Sequence, residues 1–169
     1  METNQTSLGK AAMHHGLIMG VALMVLSLIM HFAGLTFEDW TKYISWLVMI
    51  AYLVYATKNF RDESRGGFMS YGQGLGFGTL TSLISGVVTT VYMFFYVKFI
   101  NTNFVNEVME KSYEQMLERG MAEEQIEMAL GYQEAWIVPS MIIGSLIGTV
   151  FIGFILSLII SAVFKRAED

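Results

Sequence analysis

The sequence contains no cysteine, so it forms neither a disulfide nor a thiolate metal site, and cysteine usage says nothing about redox compartment. A second absence carries more information. Four long apolar stretches, Met13 to Leu35, Ile44 to Thr57, Leu75 to Val97 and Ile137 to Phe164, hold no Asp, Glu, Lys or Arg. The first, third and fourth exceed the roughly 20 residues with which a helix crosses a hydrocarbon core of about 30 Å. Ionisable groups at membrane depth are costly and mark ion paths, proton relays or substrate sites, so their absence removes the usual foothold for assigning an activity. No nucleophile with its base, metal triad or carboxylate pair lies at that depth either, so the expectation is a protein that is not an enzyme and has no cofactor.

What remains is mostly membrane. Hydrophobic residues make up 54% of the chain and its mean hydropathy is +0.50, whereas a soluble domain is about 45–50% apolar even with glycine counted. The pattern predicts an all-α integral membrane protein in a single membrane domain. Four transmembrane helices are expected at about 13–35, 37–57, 74–98 and 137–164, with an amphipathic helical hairpin at about 101–136 between the third and fourth. Lys10 precedes an apolar run longer than a signal h-region, and His31-Phe32-Ala33 is not an A-x-A cleavage site, so the first run is expected to be retained.

The second span is the shortest, and capping chemistry lengthens it. Thr36 is placed to accept from the Asp39 amide, and Glu38 and Asp39 put negative charge on a first turn, which predicts a start near Phe37. Running to Thr57, that helix covers about 31 Å. Trp40, Tyr43 and Trp46 at one end and Tyr52 and Tyr55 at the other are expected as interfacial anchors. With four crossings, Lys10, Lys58, Arg61, Arg65, Lys165 and Arg166 fall on one side, against Lys42, Lys98, Lys111 and Arg119 on the other. That bias predicts that both termini are cytoplasmic, and leaves the sequon Asn4-Gln5-Thr6 on the unglycosylated side.

Helix packing is where the sequence becomes specific. Gly74, Gly78, Ser82, Gly86 and Thr90 recur every four residues in the third span. Ser145, Thr149, Gly153, Ser157 and Ser161 do so in the fourth, flanked by Gly144 and Gly148. In lipid there is little hydrophobic force between helices, and small-xxx-small ridges allow the close backbone approach on which association then depends. Spans three and four are therefore expected to pack together. A four-residue step overshoots the helical turn by about 40°, so a straight neighbour is expected to meet only about three members of such a ridge. The rest are left for another helix or subunit. Gly16 and Gly20 repeat the signal in shorter form in the first span.

Elsewhere the bland reading prevails over the chemical one. Arg65-Gly66-Gly67-Phe68-Met69-Ser70-Tyr71-Gly72-Gln73-Gly74 matches neither dinucleotide-binding nor P-loop spacing, and reads as a turn leading into an interfacial stretch. Arg61 and Arg65 beside that turn are candidate contacts for a lipid headgroup. His14 and His15 project about 100° apart on a helix and cannot easily chelate together. The loop methionines lack a His or Cys neighbour, so no metal is expected. Phe104, Val105, Val108, Met109, Met116 and Leu117 form an amphipathic stripe that Gly120 should stop, and a second helix should run from about Ala122 towards Trp136. The surrounding glutamates make this hairpin acidic and outnumber Lys111 and Arg119.

The run Gly66-Gly67-Phe68-Met69-Ser70-Tyr71-Gly72-Gln73, the segment Glu118-Arg119-Gly120-Met121-Ala122-Glu123-Glu124-Gln125-Ile126 and the layout closing on Lys165-Arg166 resemble the bacterial membrane family called domain of unknown function 4199. The resemblance covers nearly the whole chain. It implies a bacterial inner-membrane protein with four helices and an acidic extracytoplasmic hairpin, and supplies no activity and no catalytic residue. Members usually carry Ser or Thr where Ala122 stands, so the resemblance implies a weaker cap on the second hairpin helix here. Three classes follow in order: a structural or interaction protein, then a transporter or channel subunit, then an intramembrane enzyme. Membrane lipids, and a protein partner or second copy meeting the small-residue faces and the hairpin, are the expected partners; nucleic acid is not. A dry seam between spans three and four favours the first class and a water-filled path the second.

Overall fold

The computed structural model describes residues 7–166, so the sequon Asn4-Gln5-Thr6 lies outside the described residues. Its regular elements are helices. Helix α1 spans Leu8–Phe32 and opens on Ser7, whose hydroxyl accepts from the Lys10 amide at 3.4 Å. It closes with two backbone bonds, Gly34 N–H to His31 C=O at 2.9 Å and Leu35 N–H to Met30 C=O at 2.8 Å. Gly34, at φ +71°, supplies the left-handed residue that this ending needs. The helix therefore stops short of Leu35, the expected end of the first span.

Helix α2 spans Thr41–Asn59, so the expected start near Phe37 is corrected by four residues. The Glu38 amide is taken by the Leu35 carbonyl and the Thr41 amide by the Glu38 carbonyl, which spends residues 35–41 on successive turns. Those turns reverse the chain, and Thr41 secures them with a 2.7 Å hydroxyl bond to the Glu38 carbonyl. A wide π-helical turn, Phe60–Ser64, continues α2. Gly66 and Gly67 follow at φ +64° and +92°, conformations that side chains with a Cβ rarely adopt.

Helix α3 spans Tyr71–Phe95 and starts three residues before the expected Gly74. The reason is a reciprocal cap. The Ser70 amide donates to the Gln73 side-chain carbonyl at 2.9 Å, and the Gln73 amide donates to the Ser70 hydroxyl at 3.2 Å. A second π turn, Tyr96–Ile100, ends this rod, followed by α4, Phe104–Glu118, and α5, Glu123–Phe164. The expected break near Trp136 is absent, because α5 runs unbroken for 42 residues with Pro139 inside it. A proline removes one backbone bond and no capping glycine stands beside it, so composition changes there while the helix does not.

Two compact units divide the chain. The first comprises residues 1–89 and 146–169, the second 90–145. In the first, one apolar cluster gathers Ala11, Ala12, Ala56, Phe60, Met69 and Phe77, and a second gathers Met19, Met49, Leu53 and Ile160. Phe60 and Phe77 stack with centroids 4.3 Å apart. In the second unit Tyr96 packs edge-on against Phe104 at 5.6 Å, and Asn101 donates its side-chain amide to Glu107 at 2.7 Å across the start of α4. Gly120, at φ +77°, ends α4 with the same pair of bonds seen after α1. Ala122 then offers α5 only its carbonyl, which accepts from the Gln125 and Ile126 amides.

Candidate functional site

The small residues of α3 and α5 come together in a fixed register. A Cβ built on Gly74 would lie 2.8 Å from the Ser161 hydroxyl, and one on Gly78 would lie 2.9 Å from the Ser157 Cβ. A Cβ on Gly153 would collide with Ser82, and one on Gly86 would reach Leu146 at 3.0 Å and Thr149 at 3.5 Å. Each step of four along α3 is thus matched by a step of four backwards along α5, and every pair sets one glycine against one hydroxyl residue. Four members of the α3 ridge meet α5, more than the three allowed to a straight neighbour. Both ridges repeat at four residues, beyond the 3.6 of the helix, so both wind with the same hand and stay in contact.

Some hydroxyls of α3 and α5 turn back to their own helices. Ser82 donates to the Gly78 carbonyl at 2.9 Å and Ser157 to the Gly153 carbonyl at 2.6 Å. Ser145 does likewise to Ile142, and Thr89 to Gly86. Thr81, Ser85 and Ser161 are fully buried and their hydroxyls have no hydrogen-bond partner. Two proposed packing residues depart from the pattern. A Cβ at Gly144 or Gly148 would meet nothing within 4 Å, and Gly144 is exposed. The α1 glycines do pack: a Cβ on Gly16 would lie 2.6 Å from Ile84, and one on Gly20 would lie 2.7 Å from Val88.

A buried histidine joins α1 to α2. His15 is buried, while its neighbour His14 is exposed on the other face of α1. The His15 Nε2 lies 3.2 Å from the Asn59 side-chain carbonyl and its Nδ1 lies 3.1 Å from the Tyr52 hydroxyl. Because a carbonyl only accepts, Nε2 carries the proton and Nδ1 accepts from Tyr52, so a neutral ring satisfies both partners. Tyr52, read from sequence as an interfacial anchor, also ties α2 to α1. Phe77 closes the site edge-on at 5.7 Å. Nothing local announces this triad, since its partners are 37 and 44 residues from His15.

At the ends of α2 and α5 the charges collect. The Arg61 Nε donates to Asp62 at 2.7 Å, and this bond, with help from the fields of Arg61, Lys58 and Arg166, holds the Asp62 carboxyl below the usual range. Residues 69 and 166 exchange two backbone bonds, Met69 N–H to Arg166 C=O at 3.0 Å and the reverse at 2.9 Å. Arg61 lies over the Phe164 ring at 5.4 Å and Arg65 over Phe60 at 5.2 Å. Sequence reading selects Arg61 and Arg65 and misses Arg166, whose nearness depends on the two chain segments meeting.

The geometry defines a class: an all-helical protein in which, among the described residues, three segments, Leu8–Phe32, Tyr71–Ile100 and Trp136–Phe164, are long and apolar enough to cross a membrane. Helix α2, with Lys42, Lys58 and its tyrosines, is more polar and is not among them. The chain belongs to the family described as "Protein of unknown function (DUF4199)", whose profile matches residues 14–166. No curated protein and no solved structure matches it.

Proposed function

We propose that the chain is a multi-pass protein of a bacterial inner membrane, crossing four times with both termini cytoplasmic, and that it acts as a structural or interaction component rather than an enzyme. Helix α2 has 19 residues and a reach of about 28 Å, which suits a fourth crossing once Lys42 and Lys58 extend to the two interfaces. Four crossings put residues 101–136 on the extracytoplasmic side, where α4 and the start of α5 serve as the acidic hairpin. Gln133 reaching the Ser112 hydroxyl at 3.4 Å supports that pairing.

The observation that carries this reading is the closed seam. Glycine against hydroxyl at four successive levels, with the Ser82 and Ser157 hydroxyls bonded to their own helices, packs α3 closely on α5 over residues 74–86 and 149–161. Transport is the alternative, and one observation favours it: the buried hydroxyls of Thr81, Ser85 and Ser161 have no partner. Gly144 and Gly148, open on α5, are offered to a partner protein or a second copy of the chain.

Native mass spectrometry of the protein gently extracted from its own membrane tests the proposal. A stoichiometric second protein or a defined homo-oligomer supports the interaction role. A lone monomer retaining a small polar solute moves transport to the front.

A further inference from the structure

Two separate chain segments, residues 58–69 and 164–166, bring three arginines to one end of the first unit. Each guanidinium is laid against an aromatic ring: Arg61 against Phe164, Arg65 against Phe60 and Arg166 against Phe68, at 5.4, 5.2 and 6.0 Å from the ring centroids. Phe60 is itself locked by its stack with Phe77, and the paired Met69–Arg166 backbone bonds hold the two segments together. The arginines are thus positioned by main chain and core rather than by chance rotamers.

Among the described residues, Asp62 and Glu63 are the acids on these two segments. Asp62 engages Arg61, whereas among the described residues no carboxylate pairs with Arg65 or Arg166, and the Arg65 Nε is buried without a hydrogen-bond partner. Lys58 and Lys165 lie on the same two segments. A guanidinium resting on a ring keeps its edge N–H groups free, and several such forks suit an anion with several oxygens. Space is present too, since a Cβ on Gly66 or Gly67 would meet nothing within 4 Å.

We infer that Arg61, Arg65 and Arg166, clasped by the Met69–Arg166 main chain, bind the phosphate of an anionic phospholipid headgroup. This rests on the reading of the chain as a membrane protein. The apolar segment Trp136–Phe164 ends two residues before Arg166, which sets the guanidinium groups at the depth of headgroups rather than in bulk water. Phe68, partly exposed beside them, suits the same interface. A lipid is therefore the occupant, in place of a soluble phosphate.

The test uses the full chain in micelles doped with equal phosphatidylglycerol and phosphatidylcholine of matched acyl chains, with retained lipid counted by native mass spectrometry. The wild type should keep phosphatidylglycerol in preference. Each arginine near an anionic surface is worth about fivefold, so Arg65→Gln with Arg166→Gln should cut that preference about thirtyfold. Lys42→Gln with Lys98→Gln, remote in sequence from the cluster, should leave it intact. Should the double arginine variant lose its helical circular dichroism, Arg166→Gln alone is read instead, since its backbone bonds persist, with a loss of about fivefold expected. Equal retention of both lipids by the wild type, or an undiminished preference in the folded arginine variants, overturns the site. Displacement of the lipid by millimolar inorganic phosphate also overturns it, assigning a soluble anion. Failure of the membrane reading itself is seen separately, as release of the protein by an alkaline carbonate wash.

Discussion

Replacing Gly78 by alanine adds one methyl group at a tight level of the α3–α5 seam. The new carbon would stand 2.9 Å from the Ser157 Cβ, whereas unstrained carbon contacts begin at about 3.5–4.0 Å. Ser157 cannot rotate clear, because its Cβ is fixed by the backbone and its hydroxyl is bonded to the Gly153 carbonyl. The helices must therefore separate by most of an ångström, which loosens the contacts at Gly74, Ser82 and Gly86 as well. Overpacking of this kind costs about 1–3 kcal/mol. Ser157→Gly removes the obstructing atoms, so the double variant should recover about 1–2 kcal/mol relative to the sum of the singles. Gly148→Ala is the control, since its methyl would enter open space, and should change stability by no more than about 0.5 kcal/mol. Reversible unfolding in mixed micelles with added dodecyl sulfate, followed by circular dichroism, reads all four proteins. If Gly78→Ala is as mild as Gly148→Ala, or if the cycle is additive, the packing argument fails.

Other predictions come from single sites. Ser70→Ala removes one half of the reciprocal cap on α3 and should cost about 1 kcal/mol in the same assay, with faster amide exchange at Gln73. His15→Leu leaves Asn59 and Tyr52 facing an apolar side chain and should destabilise by about 1–3 kcal/mol, with partial rescue when Asn59 and Tyr52 become Leu and Phe. The Asp62 carboxyl, held low first by its bond from Arg61, stabilises the fold above the ordinary aspartate range and loses that contribution as pH falls through its own lowered value. Its carbon-detected titration should accordingly lie below that of an ordinary aspartate, and Arg61→Gln should move it upward; an unmoved midpoint refutes the assigned cause.

The two ridges are legible in the sequence because a four-residue repeat of small side chains is a local signal. Which member of one ridge opposes which member of the other is not local, and neither is the winding that lets four α3 levels engage α5. Gly144 and Gly148 share the composition of the ridge, but a Cβ at either would meet nothing within 4 Å. The α5 boundary drawn at Trp136 follows polarity, whereas a helix continues wherever its backbone bonds continue, through Pro139 included. Similarly, acidic residues near Thr36 imitate a helix start, while the reversal after Gly34 needs those residues for turns. The Ser70–Gln73 cap is written in four consecutive residues, masked only by the glycines around it. His15, Tyr52 and Asn59, like Arg166 beside the loop of Arg61 and Arg65, are assembled by tertiary structure and leave no pattern along the chain.

Disulfide cross-linking along the seam tests the central claim most directly, and the natural absence of cysteine gives a clean background. The account predicts that paired cysteines replacing Gly86 and Thr149, whose Cβ atoms would stand 3.5 Å apart, cross-link in native membranes, and that Thr90 and Ser145, the next level in the same register, do so too. Cysteines paired one turn out of register, Gly78 with Gly153 for example, should stay unlinked. Linking of the shifted pairs in preference, or ready reaction of the seam cysteines with a membrane-impermeant thiol reagent, would contradict a closed antiparallel seam and reopen the case for transport.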